Sequence, residues 1–161
     1  MAGAIPPRRL LTYTAAQAAR LVGCTVSQVR HWSRSGLVVA SGEGKFTFRD
    51  LVALRVVRSL LDAGLPSTRV RAAVLALRAA GDADLASLRL VTDGRDVWSC
   101  HDDGQILDAL GHGQLALFIA VDRVSADVDA EVRAFQAERD AFVDDLRRPG
   151  ADHGSTPRSA R

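Results

Sequence analysis

Residues 14–48 read TAAQAARLVGCTVSQVRHWSRSGLVVASGEGKFTF, and the rest of the chain is arranged around them. Thr14 and Thr25 are each followed, three residues later, by a glutamine, which is the pattern of a capping box at the start of a helix. Gly23 lies between the two patterns and tolerates the left-handed backbone that ends a helix. The spacing therefore predicts two short helices joined by a tight turn, which is a helix-turn-helix.

The second of these helices carries side chains that suit a DNA groove. Val26 and Val29 face inward, which leaves a polar face elsewhere on the helix. Arginine binds guanine or phosphate, glutamine binds adenine, and serine and histidine can bind either. We therefore expect DNA contacts from Ser27, Gln28, Arg30, His31 and Arg34. The alternative is simple solvent exposure or, for Arg30, a structural salt bridge.

Three more residues of this region are candidates for phosphate contacts. Thr14 and Thr25, besides capping, place backbone N–H groups at helix N-termini, where a phosphate can dock. The indole N–H of Trp32 could also donate to a phosphate, although a tryptophan is equally common in a core.

Residues 38–48 predict a hairpin-like wing after the second helix. Val38 and Val39 can enter a strand, residues 41–44 can turn, and residues 45–48 can return. Lys45 would then lie near the tip or on the return strand. We expect it to bind the DNA phosphate backbone from there.

The same stretch resembles the winged helix-turn-helix of the MerR-type (mercury-resistance regulator) family. The positions that match in register are Tyr13-Thr14, Ala19, Gly23-Cys24-Thr25, Gln28-Val29-Arg30-His31-Trp32 and Gly36-Leu37. The resemblance covers about residues 11–80. Cys24 replaces the usual valine, His31-Trp32 replaces the aromatic pair, and Lys45 is the cation nearest to the position of the family's wing arginine.

The resemblance implies a mechanism as well as a fold. MerR-type proteins bind promoter DNA as homodimers, dimerise through a long helix, and bend and untwist the duplex. Arg30 matches the family's near-signature arginine. Distortion of the DNA would fit a short recognition helix with few base contacts, because the free energy needed to deform DNA depends on its sequence and so contributes to specificity.

Two further helices are predicted after the wing. The first follows a third capping box at Thr47, extends to about Ala63 and carries an apolar stripe. Arg49 lies off that stripe and joins the candidate DNA contacts. The second helix is predicted from Thr68 to Ala80.

Beyond residue 82 the pattern changes from helical to strand-like. Residues 88–92 and 96–100 predict a hairpin around Asp93-Gly94, because Asp-Gly is a strong hairpin turn. Residues 115–121 form a continuous apolar run that predicts a central buried strand. The fold class expected is α+β: a winged helix-turn-helix with two further helices, then a small antiparallel β-meander and a long C-terminal helix.

That long helix is predicted from Ala126 to Arg147. Its apolar residues recur with nearly heptad spacing, interrupted by Arg139. The residues assigned to dimerisation on this pattern are Val128, Val132, Phe135, Phe142 and Leu146. The alternative is that the stripe covers the sheet of its own chain.

Charge divides the chain in two. Residues 1–80 hold twelve basic residues against three acids, a net charge of +9, whereas residues 81–161 hold nine arginines against sixteen acids, a net charge of −7. The basic half predicts contact with double-stranded DNA. The absence of an apolar run of membrane length, of a secretory signal and of a disulfide framework predicts a cytoplasmic, nucleoid-associated protein.

Two other classes of function remain compatible with the sequence. An excisionase-like architectural protein has a similar winged fold, and an adaptor could use the acidic half to bind a protein partner. Cys100, His101 and His112 invite a metal or catalytic reading, but neighbouring strand residues point to opposite faces. We therefore expect no enzyme activity, metal or cofactor, and we leave open an unidentified small-molecule or protein effector in the C-terminal half.

The domain organisation expected is a flexible N-terminal arm (1–10), a DNA-binding domain (11–81), a sheet with a dimerisation or interaction helix (82–148), and a disordered tail (149–161). Pro6-Pro7 and the polar, Pro- and Gly-rich C-terminus support the two flexible ends.

Overall fold

A computed structural model describes residues 11–40, 44–81, 87–111 and 117–148. The elements are β1 (Thr12–Tyr13), α1 (Ala15–Val22), α2 (Val26–Arg34), β2 (Phe46–Thr47), α3 (Phe48–Asp62), α4 (Ser67–Ala79), β3 (Arg89–Thr92), β4 (Val97–Cys100), α5 (Asp103–Leu110), β5 (Leu117–Ala120) and α6 (Val121–Arg147). The predicted α+β class is confirmed. The N-terminal arm and the C-terminal tail lie outside the described residues.

The two capping boxes of the helix-turn-helix both form. The hydroxyl of Thr14 accepts the N–H of Gln17 at 3.2 Å, and the Gln17 side chain accepts the N–H of Thr14 at 3.0 Å. Thr25 and Gln28 repeat the arrangement at 3.1 and 3.0 Å. Gly23 adopts φ +80° and ends α1. The helix boundaries are therefore determined by local hydrogen bonds that the sequence displays.

The wing differs from the prediction on its first side. Val38 and Val39 form no strand, because the N–H groups of Leu37 and Val38 both donate to the carbonyl of Trp32 and terminate α2. The return side does form β2, which pairs antiparallel with β1. The paired residues are Thr12 with Thr47 and Tyr13 with Phe46.

Helices α3 and α4 supply much of the core beneath the helix-turn-helix. The third capping box is confirmed, because the hydroxyl of Thr47 accepts the N–H of Asp50 at 3.2 Å and Asp50 Oδ2 accepts the N–H of Thr47 at 2.9 Å. Helix α4 begins one residue earlier than predicted, with Pro66 as its N-cap. Their fully buried side chains include Leu51, Leu54, Val56, Val57, Leu60 and Val70.

The C-terminal sheet is antiparallel, with strand order β4-β3-β5. The predicted hairpin forms between β3 and β4, with Gly94 at φ +94° in its turn. The chain then forms α5, which packs on β3 and β4 and leads to β5 at the other edge of β3. The apolar run ending in β5 is therefore an edge strand and not the predicted central one. A simple meander would have the strand order β3-β4-β5, whereas here β3 lies between β4 and β5.

Helix α6 begins at Val121, five residues before the predicted start, where the Val121 N–H donates to the carbonyl of Leu88 at 3.1 Å. Its 27 residues span about 40 Å. Val128 and Val132 are completely buried against α1 and α3 of the same chain. These two valines, predicted to form a dimer interface, therefore lie in the hydrophobic core of their own chain.

One continuous hydrophobic core joins the two halves of the chain. It extends from Tyr13 through α3 and α4 to Leu90, Ile119 and Val132. The ion pair of Arg69 with Asp96, at 3.0 Å, adds a surface link between α4 and the β3–β4 hairpin. No helix in the described ranges is both long enough and apolar enough to cross a membrane.

Candidate nucleic-acid interface

Helix α2 presents one polar face to solvent. Val29 and Trp32 are buried beneath it. The predicted contact residues on the open face are all exposed, and they are Ser27, Gln28, Arg30, His31 and Arg34. Gln28 uses its side-chain oxygen in the capping box, and Arg34 donates weakly to the Arg30 carbonyl at 3.4 Å. The amide nitrogen of Gln28 and the guanidinium of Arg30 remain available as donors toward a groove.

Two backbone N–H groups also remain available at the start of each of the first two helices. The capping boxes occupy the N–H groups of Thr14, Gln17, Thr25 and Gln28. This leaves the first two N–H groups inside each helix, those of residues 15–16 and 26–27, with no partner in the described part of the chain. The positive ends of the helix dipoles favour phosphate at such positions. The N–H groups of Thr14 and Thr25 themselves are already bonded to glutamine side chains.

Trp32 does not belong to the exposed contact set. Its side chain is 5% exposed and lies in the main core, and its carbonyl accepts the bonds that end α2. The tryptophan fixes α2 against the rest of the domain. Its burial follows from the helical spacing of Val29 and Trp32, which places both on one face.

Most of the basic charge of the N-terminal half is engaged within the protein. Among the ten described arginine and lysine residues between positions 11 and 80, seven bond to a distant part of the same chain, whereas Arg34 bonds only within its own helix. Arg20 pairs with Glu138 and Arg69 with Asp96, and backbone carbonyls accept bonds from Arg49, Arg55, Arg58, Arg71 and Arg78. The three that remain are Arg30, Arg34 and Lys45, all predicted as DNA contacts and all exposed.

Two of the engaged arginines stabilise the turn of the helix-turn-helix. Arg55 and Arg58, one helical turn apart on α3, both donate to the carbonyl of Val22 at 3.0 and 2.9 Å. That carbonyl lies at the negative end of α1, so two guanidinium groups there are favourable. The sequence pattern predicts no role for either arginine. Their target is separated from them by more than thirty residues, so no local pattern reveals it.

The position of Arg58 leaves no room for a side chain at Gly23. A Cβ at Gly23 would lie 2.8 Å from Arg58 Nη1, on a backbone with φ +80°. Gly23→Ala should therefore lower the free energy of unfolding by about 2–3 kcal/mol, from left-handed strain and from displacement of the arginine. Gly64→Ala is the matched control, because φ is +91° there but no atom lies within 4 Å. Chemical denaturation of both variants should show the larger loss at Gly23, and equal losses would remove the role assigned to Arg58.

The remaining predicted contacts have different environments. Lys45 is exposed next to β2, which keeps it available for phosphate. Arg49 instead is half-buried and donates to the Ala80 carbonyl at 3.1 Å, tying the start of α3 to the end of α4. Arg49 would therefore contribute to DNA binding either by holding α3 in position or by contacting DNA while it keeps the bond to Ala80.

The described cysteines, Cys24 and Cys100, have environments that disfavour the thiolate. Burial raises the pKa of the Cys24 thiol, and the nearby Arg58 guanidinium only partly offsets this. Burial and then the charge of Asp102 raise the pKa of Cys100. Both thiols are therefore protonated at neutral pH, unlike a nucleophile or metal ligand. Across the ranges that the structure describes, no group of three or more metal-binding side chains occurs, and His112 lies outside them.

The capped helix pair, its exposed polar face and the antiparallel β1–β2 pair define a helix-turn-helix protein of the winged type. Residues 13–77 match the family described as MerR HTH family regulatory protein. These residues therefore form a MerR HTH domain, in agreement with the sequence resemblance.

The chain is also similar to proteins named uncharacterized HTH-type transcriptional regulators. One is from Mycobacterium bovis and two are from Mycobacterium tuberculosis, strains CDC 1551 and H37Rv. Each is 33% identical over 141 residues, which is 83% of this chain and 63% of the relative. The match thus extends beyond the MerR HTH domain into the C-terminal half, but the chain spans under two thirds of each relative.

Proposed function

We propose that this chain is a sequence-specific transcriptional regulator that binds double-stranded DNA as a homodimer. The observation that carries the proposal is the exposed face of α2, where Arg30 and Arg34 make no bond to a distant part of the described chain, while most other described arginines of the domain do. The MerR HTH domain and the names of the relatives support the same role.

Helix α2 would enter the major groove. Arg30 is suited to the acceptor edge of guanine and Gln28 to adenine, because their donors match those base edges. Ser27, His31 and Arg34 would complete the contacts along the helix, and Lys45 would bind phosphate from the wing. Phosphate contacts set affinity and orientation, whereas base contacts set preference.

A short recognition helix reads only a half-site, so a dimer is the natural functional unit. The part of α6 that extends beyond Glu138 is suited to form it. Phe142 is 64% exposed and Leu146 is 71% exposed, and they lie one turn apart on the stripe that Val128 and Val132 begin. Phe135 already packs against the core of its own chain and lies 5.5 Å from the Arg20 guanidinium. The dimer interface would therefore be centred on residues 139–147.

The variant Phe142→Ser/Leu146→Ser should lose the dimer and keep the fold, because neither side chain belongs to the core of the described chain. At micromolar concentration, sedimentation should report a monomer with unchanged thermal unfolding of the domain. Leu107→Ser is the matched control, since Leu107 is 70% exposed on α5. A double variant that stays dimeric would place the interface elsewhere.

Promoter distortion is the mechanism that the family resemblance adds. In such a dimer the α6 helices would hold the two α2 helices at a fixed separation. The DNA would bend or untwist so that both half-sites meet an α2 helix, and the free energy of the protein–DNA contacts would offset the cost of that deformation. A small-molecule or protein effector in the C-terminal half would act by changing the dimer geometry.

The test of the proposal is titration of labelled duplexes at several salt concentrations. A dimer with Arg30, Arg34 and Lys45 at phosphate or base edges should give a slope of log affinity on log salt of roughly −4 to −6, at about −0.9 per neutralised phosphate. It should also retain a preference for particular duplexes at near-physiological salt. Binding that is equal for all duplexes, and lost with modest salt, would contradict sequence-specific regulation.

A further inference from the structure

An ion pair between α3 and α4 contacts both stems of the wing, at Val39 and at Thr47. The sequence predicts that Val38 and Val39 pair with residues 45–48 in a hairpin, but no strand forms at the two valines. The return strand β2 pairs with β1 instead. Side chains of α3 and α4 connect the two stems of the wing at Val39 and Thr47.

Asp50 on α3 and Arg78 on α4 provide that connection. Asp50 is 4% exposed, and a buried carboxylate is costly unless it is bonded. Its Oδ2 accepts the N–H of Thr47, on the return stem, at 2.9 Å. Its Oδ1 lies 3.5 Å from Arg78 Nη2.

The same guanidinium nitrogen reaches the other stem. Arg78 Nη2 donates to the carbonyl of Val39 at 2.7 Å. The entry stem at Val39 and the return stem at Thr47 are thus joined through one carboxylate and one guanidinium. Closing a loop is entropically costly, and a fixed bridge between its ends offsets that cost.

A second arginine of α4 holds the segment just before the wing. Arg71 donates to the carbonyl of Ser35, the C-cap of α2, at 2.8 Å. Arg71 and Arg78 are two turns apart, about 10 Å along α4. Helix α4 therefore fixes both the exit from the recognition helix and the start of the wing.

We propose that Asp50 and Arg78 are positioning residues that set the orientation of the wing, and with it the reach of Lys45 to DNA. The part concerning DNA rests on the proposed function, whereas the closure of the wing does not. Neither residue is assigned a base or phosphate contact.

The chain offers a direct probe of wing closure, because Lys45 is its only lysine. A lysine-specific endoprotease can cut the chain only after that residue. Arg78→Gln and Asp50→Asn should each be cut about three- to tenfold faster than the unmodified protein, as expected for loss of one charged hydrogen-bonded bridge. Asparagine at position 50 can still accept the Thr47 N–H, so the cap of α3 is retained.

Arg69→Gln is the matched control. It removes one positive charge from the same helix, but its partner is Asp96 on the sheet. Its cleavage rate should be unchanged. Gly64→Ala controls for general destabilisation, because cleavage through global unfolding would rise there as well. Equal cleavage rates for Arg78→Gln and Arg69→Gln would contradict the proposed role of Asp50 and Arg78 in holding the wing. Cleavage rates that rise only in proportion to the loss of global stability would contradict it as well.

A double-mutant cycle with Lys45 tests the part of the proposal that concerns DNA binding. Arg78→Gln and Lys45→Ala should each weaken duplex binding by about three- to tenfold, and the double variant should be no weaker than either single one. Additive losses would mean that Arg78 contacts DNA itself, which would overturn the positioning role. If the unmodified protein bound no duplex, the proposed function would fail, while the cleavage rates would still decide whether the wing is closed by this pair.

Discussion

Trp32→Ala is expected to lower the free energy of unfolding by about 3–5 kcal/mol, the cost of replacing a buried large aromatic side chain with alanine. Trp32 is 5% exposed and lies in the core that joins α2 to α3. Since small domains have only about 5–15 kcal/mol of stability, the variant should be close to unfolding at physiological temperature. Chemical denaturation followed by circular dichroism measures the loss.

Trp32→Phe separates the core role from a DNA contact. Phenylalanine retains much of the apolar volume but lacks the indole N–H, so the variant should lose far less stability and bind DNA as the unmodified protein does. If Trp32→Phe were stable but bound DNA much more weakly, the indole would be a phosphate donor and its assignment to the core alone would be wrong.

Arg30→Ala is expected to weaken binding to a preferred duplex by about 1–3 kcal/mol and to relax the preference at one base position. The substitution should leave stability unchanged, because the Arg30 side chain is exposed and has no partner in the described part of the chain. Competition titrations with the preferred duplex and with single-base variants of it measure both effects.

Arg34→Ala is the matched control for charge. It removes the same side chain from the last turn of the same helix, where a phosphate contact is expected. It should weaken preferred and unrelated duplexes about equally and reduce the magnitude of the salt slope by about two, because the dimer loses one phosphate contact in each protomer. If Arg30→Ala behaved in the same way as Arg34→Ala, Arg30 would be a backbone contact and the proposed base reading would be withdrawn.

Local patterns predicted the parts of the fold that depend on neighbouring residues. The three capping boxes begin at Thr14, Thr25 and Thr47, and each is made by side chains three residues apart. Gly23 ends α1, and Asp93-Gly94 turns the hairpin, because both functions depend on the backbone freedom of one glycine. These features could be read from the sequence because their partners lie within one turn.

Long-range contacts account for the errors. Val39 was predicted in a strand, but its carbonyl is bound by Arg78, thirty-nine positions later. The apolar run in β5 does not reveal the strand order. The chain passes through α5, which packs on β3 and β4, before β5 pairs with the free edge of β3. Val128 and Val132 fit a dimer seam by spacing alone, and only the position of α6 against α1 and α3 assigns them to the core.

Net charge predicts which half of the chain binds DNA, but it does not predict which of the basic side chains are available to do so. A net charge of +9 in residues 1–80 suggested a broad basic face. In the structure most described arginines of this region hold helix ends and loop stems, and the free cations are concentrated at α2 and the wing. The count of charges therefore remains a prediction for the half, whereas hydrogen bonds identify which of its charged side chains are not already bonded to distant parts of the chain.

The most direct test of the central claim is selection of bound fragments from random duplex DNA by the purified full chain at near-physiological salt. A homodimer with one α2 per half-site predicts enrichment of an inverted repeat with a fixed spacing between its halves. The Arg30→Ala variant should enrich a repeat with reduced preference at one position in each half. Recovery of arbitrary DNA, or of head-to-tail arrays of single sites, would contradict a dimeric regulator.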